Sequence, residues 1–318
     1  MTFPKLLNER LIRIINRQIK CRLARFYGLY VIVKDVFRSS ARDTFAISKR
    51  SPMKQLLSLV LAFVPVMYSA NVYGQGKTVA LIAHRGGVVD STFTENGLPA
   101  LKEAVRQGYK MVETDMRVTA DGVLIANHDA DFNRFYGDPR KVTETKWEHA
   151  RALTSKLDGN HPMLLEEVFR FCAENKMAIM LDNKIAGMDS ALFSGLTAML
   201  DRYHLRKTAI MIGTDESTEF FTGKVRLSCS RKQLEENMKK PGYHADHYYL
   251  FERPANLRQE DVAWARKHSI RVVAAINKYH YRKSADMMAD AKKDCERMFA
   301  YGVTEFQIDS EFRQFLLK

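Results

Sequence analysis

From residue 77 onward, apolar runs of strand length alternate with stretches of helical spacing, and that alternation confines the chain to an α/β fold with a parallel sheet. TVALIA (78–83), MVETDMRV (111–118), AIMLDNK (178–184), TAIMIGT, KVRLSCS, RVVAAIN and YGVTEFQID (301–309) read as strands. ENGLPALKEAVRQG, ending at Gly108, reads as a helix. So do PMLLEEVFRFCAENK, with Leu165, Val168, Phe169 and Cys172 at helical spacing, and ALFSGLTAMLDRYHL. DGVLIANHD (121–129) reads as a further strand entered through an Asp-Gly turn, and HYYLF (247–251) as a loop or an extra strand. The candidates number about nine, one more than an eight-stranded barrel needs. The expected architecture is a single-domain TIM (β/α)8 barrel over residues 75–318, with an open doubly wound sheet as the alternative. The polar stretch 129–162 reads as an insertion or lid.

A formal net charge of +13 would ordinarily point to a polyanionic partner. Residues 1–52, however, hold 12 Lys/Arg against 3 Asp/Glu, which is +9 of the +13. The basic character therefore belongs to the leader, and no nucleic-acid partner is expected. Behind the leader, Met53 and Lys54 precede a 12-residue apolar run, Leu56 to Met67. Small and polar residues follow, with Val72-Tyr73-Gly74 ahead of Gln75. That is the layout of a secretory signal peptide over 53–74, and the run is short of the ~20 residues that span a bilayer. The expectation is a start at Met53, with the basic leader 1–52 an artefact of start-site assignment. A secreted or periplasmic chain follows, without a stable membrane anchor after cleavage. Cys21, Cys172, Cys229 and Cys295 show neither a disulfide framework nor metal-ligand spacing and are expected as buried thiols.

Polar residues gather at the C-terminal ends of the early strands: His84 and Arg85, Glu113 and Asp115, His128 and Asp129, Asp182 and Lys184. In a barrel those ends share the face that carries active sites. Glu113 and Asp115 are two apart, so on a strand both point the same way. Two unpaired carboxylates there would force one to take a proton. A hard cation removes the conflict, and with Asp182 the oxygen set suits one Ca²⁺ or Mg²⁺. The competing reading is a salt-bridge network with Arg85 and Lys184. His84 and His128 can exchange protons near neutral pH, and Arg85 and Lys184 can hold phosphate oxygens.

At these residues the chain resembles the glycerophosphodiester phosphodiesterase family. The resemblance rests on HRGG (84–87), TENG (94–97), ETDMRVTADG (113–122), NHD (127–129) and LDNK (181–184), with weaker support from Asn277 in AAINKYH and from GVTEFQID (302–309). It implies a TIM barrel in which Glu113, Asp115 and Asp182 hold a divalent cation, His84 and His128 form the acid/base pair, and Arg85 and Lys184 contact phosphate. Glu95 stands as a candidate ligand or supporting carboxylate, and Asn277 as a further supporting residue. The chemistry implied is attack by a neighbouring substrate hydroxyl on phosphorus, followed by hydrolysis of the cyclic phosphate. Three departures bear on substrate. Asp182 replaces the family's usual Glu, TENG replaces PENT, and the late strand lacks its Trp, for which HYYLF offers a pocket wall or merely core.

The function expected is metal-dependent hydrolysis of glycerophosphodiesters, small-molecule substrates, to sn-glycerol 3-phosphate and an alcohol. The alternatives are the same site acting on lysophospholipid (phospholipase D-like), inositol or sugar phosphodiesters, and a non-catalytic barrel that binds phosphate ligands. Against the last, a chain without catalysis has no chemical need for both histidines. N-terminal sequencing of the protein from its native host should find a mature start near Gln75; a start upstream of Met53 would overturn the signal-peptide reading.

Overall fold

The structure, a computed structural model, describes residues 79–87 and 92–317; the expected leader and signal peptide lie outside the described residues. Twelve strands are described: β1 Ala80–Ala83, β2 Met111–Val118, β3 Leu124–Ala126, β4 Asp131–Phe132, β5 Asp138–Lys141, β6 Met163–Leu164, β7 Ala178–Asn183, β8 Ile210–Ile212, β9 Arg226–Cys229, β10 Tyr248–Glu252, β11 Arg271–Ile276 and β12 Glu305–Ile308. Eight of them pair in parallel in the order β1-β12-β11-β10-β9-β8-β7-β2, and β1 also pairs with β2. The sheet is therefore closed, which settles the choice between barrel and open sheet. The helices α1 Leu98–Arg106, α4 Leu165–Glu174, α5 Ser190–Arg202, α6 Asp215–Phe221, α7 Arg231–Asn237, α8 Gln259–Lys267 and α9 Met287–Tyr301 make the crossovers; α2 Asn133–Tyr136 and α3 Trp147–Ala150 are single turns between β4 and β6.

Alternation along each strand explains the two layers of core. Ile82, Met111, Met180, Ile210, Tyr249 and Val273 form one buried cluster. Their strand neighbours Leu81, Val112, Ile179 and Leu181 belong instead to the larger cluster containing Leu101, Leu165, Val168, Phe169 and Cys172 from the helices. Period-two alternation sends the first set into the barrel and the second towards the helices. The α4 face expected from spacing is fully buried. Cys172, Cys229 and Cys295 are free, buried thiols. Among the described residues no helix is long and apolar enough to cross a membrane.

Two strand readings change. HYYLF is neither loop nor extra: it supplies β10, paired in parallel with β9 and β11. The extra strand is 121–129. Gly122 has φ +78°, and the Thr119 amide donates to the Val123 carbonyl across a tight turn. So short a link can join only antiparallel strands, so β3 runs back along the upper part of β2, with Met116 opposite Ala126. β6 then adds antiparallel to β3. The stretch 129–162 is more ordered than its polarity suggests. β4 and β5 form a hairpin, and Ile125, Phe132, Val142 and Ala150 make a separate buried cluster. Its apolar residues are scattered singly, so no periodicity announces them.

The loop after β1 needs both of its glycines. Arg85 and Gly86 have φ +55° and +79°, and the Arg85 carbonyl accepts from the Asn96 amide at 2.8 Å. A Cβ on Gly86 would stand 2.5 Å from Asn96 Cα, and one on Gly87 would strike the Ala100 carbonyl. Gly86→Ala should destabilise the barrel by about 2 kcal/mol or more, read as a lower urea midpoint at unchanged slope.

Candidate active site

Strand β2 carries the site along one face. Met111 packs inside the barrel, Glu113 and Asp115 follow at intervals of two, and Arg117 comes last. β7 pairs with β2 so that Asp115 lies opposite Asp182. Oxygens of Glu113, Asp115 and Asp182 all lie within 4.8 Å of one another, and Glu113 and Asp115 are buried. Burial first, and then the neighbouring charge of Asp115, push the Glu113 carboxyl up to about 8. Burial also raises Asp182, although the Lys184 ammonium acts against it.

The donors around this cluster are few. Glu113 Oε2 accepts from the Arg85 amide at 2.7 Å, while its buried Oε1 has no hydrogen-bond partner. Asp115 Oδ2 accepts from Asn96 Nδ2 at 3.1 Å. Lys184 Nζ lies 2.5 Å from Asp182 Oδ2 and 3.6 Å from Asp115 Oδ1. One ammonium among three carboxylates, two of them buried, leaves an orphaned oxygen and a raised pKa, both of which a hard cation would remove. The residues therefore fit a divalent ion bound by oxygen ligands. The salt-bridge network is present too, through Lys184, but it does not reach Glu113 Oε1.

Both histidines are held at Nδ1. His84 Nδ1 lies 2.7 Å from Asp309 Oδ1, and its Nε2 lies 3.9 Å from Glu113 Oε2. Burial opposes protonation of His84 most strongly. The hydrogen bond and charge of Asp309, with the charge of Glu113, more than offset it, so its pKa stands above the ordinary imidazole value. His128 Nδ1 lies 2.7 Å from Asp129 Oδ1, and the His128 carbonyl accepts from Arg117 Nε at 3.0 Å and Nη2 at 2.7 Å. The Asn127 amide donates to the Asp115 carbonyl at 3.0 Å. His128 thus reaches the cluster from the returning β3 hairpin, not from the end of a barrel strand.

Three comparisons bear on this arrangement. The model of the glycerophosphoryl diester phosphodiesterase family matches residues 84–305. The chain belongs to this family. A glycerophosphodiester phosphodiesterase 1 of Bos taurus is 30% identical over 129 residues, covering 38% of this chain and 38% of the bovine protein. The rat (Rattus norvegicus) lysophospholipase D GDPD1 is 32% identical over 103 residues, 31% of this chain and 32% of the relative. The matched stretches thus span under two-fifths of either relative. Among solved structures, a glycerophosphoryl diester phosphodiesterase from Parabacteroides distasonis superposes with TM-score 0.61 at 17% identity, covering 77% of this chain and 90% of that one. An Oleispira antarctica phosphodiesterase in complex with the product sn-glycerol-3-phosphate gives 0.59 at 16%, covering 74% and 96%. At such identities the likeness is one of fold.

Measured against the family pattern, the shorter Asp182 still brings its oxygen to the cluster. Glu95 does not join it. Its carboxylate accepts from Arg85 Nη1 at 2.7 Å and from Arg134 Nη1 and Nη2 at 2.8 and 2.5 Å. Asn277, buried at the end of β11, makes a long 3.5 Å contact from Nδ2 to Gln307 Oε1; no bond from its side chain to the three carboxylates occurs among the described residues. Of the HYYLF aromatics, Tyr249 is fully buried in the barrel and so is core. Sequence reasoning assigned no role to Asp309, Asp129, Asn96, Arg117 or Arg134. Arg117 was accessible from the i, i+2 line through Asp115, whereas Asp309 meets His84 only through closure of the barrel. Arg134 had no periodic signal.

The cation site predicts a thermal signature. Mg²⁺ or Ca²⁺ at about 100 times its Kd should raise the melting temperature by about 5–10 °C, and Glu113→Gln should abolish the rise. An unchanged melting temperature in the wild-type chain would sink the site.

Proposed function

We propose that the protein is a metal-dependent glycerophosphodiester phosphodiesterase that releases sn-glycerol 3-phosphate and an alcohol. The observation that carries this reading is the pair of histidines, each with Nδ1 tied to its own carboxylate and Nε2 left for substrate, beside a buried carboxylate cluster. Holding Nδ1 fixes the tautomer and orientation of each ring. His84 and His128 then act as the acid/base pair. One accepts the proton of the attacking glycerol hydroxyl as its oxygen bonds to phosphorus, and the other protonates the departing alcohol oxygen. The cyclic phosphate is opened by water with the two roles exchanged.

Glu113, Asp115 and Asp182 would hold one Mg²⁺ or Ca²⁺, which when bound supplies Lewis acidity towards the phosphoryl oxygens. Lys184 and Arg85 add fixed positive charge for the same oxygens. Arg85 is already bonded to Glu95, so the loop 94–97 sets where that guanidinium stands. The family membership supports the activity. The similarity to a lysophospholipase D supports a second substrate class, lysophospholipids, at the same site. The signal peptide expected over 53–74, outside the described residues, is proposed to direct the chain to the periplasm or the exterior.

Purified protein should release glycerol 3-phosphate from glycerophosphocholine, glycerophosphoethanolamine or glycerophosphoinositol, and EDTA should stop the release. His84→Ala and His128→Ala should each lower kcat by about 10²–10⁴ with little change in melting temperature. Turnover of lysophosphatidylcholine but not of the deacylated diesters would favour the second class. Turnover of neither, with cation binding intact, would leave a binding barrel.

A further inference from the structure

Among the described residues, Arg134 is the one side chain that bonds both to the partner of His128 and to the partner of Arg85. It lies in α2, in the stretch between β3 and β6, away from the barrel strands. Its Nε donates to Asp129 Oδ2 at 2.7 Å and its Nη2 to Asp129 Oδ1 at 3.0 Å. Its Nη1 and Nη2 donate to Glu95 Oε1 and Oε2 at 2.8 and 2.5 Å. Glu95 Oε1 also accepts from Arg85, and Asp129 Oδ1 also meets His128 Nδ1. The result is a chain of charge-assisted bonds, His128–Asp129–Arg134–Glu95–Arg85, with a planar fork at its centre.

We propose that Arg134 is a positioning residue that sets His128 and Arg85 in register with each other, so that the proton-transfer group and the phosphate clamp act as one unit. This rests on the reading of the site as a phosphodiesterase. Only a guanidinium can grip two carboxylates in fixed planes. Without it, Asp129 keeps one bond, to His128, and can rotate about its side chain. Glu95 keeps one bond, to Arg85, and loses the second of its two positive neighbours. Both functional groups then lose their fixed direction, although neither loses its own partner. Arg134 has a side-chain exposure of 41% and an aromatic neighbour, with its guanidinium carbon 4.6 Å from the Phe135 ring centre. Its replacement therefore opens no core cavity. The same segment is anchored independently, by Thr94 to Asp158 and Ser155, so it should stay in place.

The test is a set of variants assayed on whichever diester the wild-type chain turns over. Arg134→Gln should reduce kcat/KM about tenfold to a hundredfold, with both a lower kcat and a higher KM. Asp129→Asn should act chiefly on kcat and Glu95→Gln chiefly on KM. Arg134→Lys should recover only part of the loss, since an ammonium cannot fork. The Arg134→Gln/Glu95→Gln double variant should cost less than the product of the two single losses. Arg140→Gln, in the same segment but paired with Asp138, should leave both constants unchanged. Wild-type kinetics in Arg134→Gln, or a loss in Arg140→Gln of equal size, would overturn the proposal. If the wild-type chain turns over no diester, the functional reading fails instead. The coupling is then read in ¹⁵N-histidine spectra, with His128 identified from the signal missing in His128→Gln. The His128 Nδ1 proton should be protected from exchange in wild type and exchange faster in Arg134→Gln; equal exchange would overturn the coupling.

Discussion

Everything at the mouth of this barrel depends on one register. β2 and β7 pair so that Asp115 stands opposite Asp182, and neighbouring strands lie only about 4.8 Å apart. Two carboxylates at that separation repel by about 3–4 kcal/mol at an effective dielectric near 20, and Glu113, one inward step below, adds a third. A shift of a single residue would turn the acidic line outward and the apolar line inward. The packing of Met111 and Met180 within the barrel and of Val112 and Ile179 against the helices prevents it. The core thus holds the acidic cluster in place although its members repel. The compensating groups come from loops: the Arg85 amide, the Asn96 amide group and the Lys184 ammonium. Gly86 and Gly87 matter for that reason, because they let the loop after β1 lie against residues 96–101.

Closure of the barrel has a chemical consequence as well. His84 follows β1, and Asp309 follows β12. They meet because Ala83 lies opposite Ile308 along the seam between the first and last strands. An open sheet with β1 and β12 on separate edges would leave His84 without its carboxylate. Asp309 also accepts from the Lys278 amide at 2.6 Å, which ties the loop after β11 to the same pair. His128 depends on a different device, the β3 hairpin, with Arg117 gripping its carbonyl. The two imidazoles are therefore held by structurally independent supports, one by the seam and one by the hairpin. Arg134 connects the second of these supports to the loop that carries Arg85.

The barrel was legible in the sequence because strand and helix periodicities differ and because the buried strands are short and strongly apolar. The acidic cluster was legible for a simpler reason: a strand repeats every two residues, so Glu113 and Asp115 had to share a face wherever β2 ended up. HYYLF was ambiguous because four of its five residues are aromatic or apolar, leaving no alternation to read. The third polar strand end was found, but its geometry was not. His128 reads as the end of a barrel strand until the Asp121-Gly122 turn is taken as decisive, since a tight turn excludes a parallel neighbour. Asp309 and Arg134 were out of reach for a deeper reason. Their partners are 225 and 39 residues away, to His84 and to Glu95, and no local pattern encodes which loops a closed barrel brings together.

The charge arrangement also says something about what the mouth can hold. Glu113, Asp115 and Asp182 would be matched in sign and number by one divalent cation together with Lys184. Arg85 and Arg134 are matched by Glu95 and Asp129, and in number Arg117 is matched by Asp309. The site with a cation bound would then be close to neutral before substrate arrives, with Lys184, Arg85 and Arg134 already in contact with carboxylates. Such a site suits a phosphodiester, which carries a single negative charge. A phosphomonoester, nearly a dianion at neutral pH, would need cationic groups in excess, and these arginines are engaged. In the proposed reaction the same balance would help the product leave, because cleavage of a phosphodiester converts a monoanion into a dianion that such a site is less able to neutralise. By occupying Arg85, Glu95, which TENG shares with PENT, lowers the attraction for a second phosphate charge. The departure from the family's loop lies at Thr94 and Gly97, and Thr94 acts on where that loop stands through its bonds to Asp158 and Ser155.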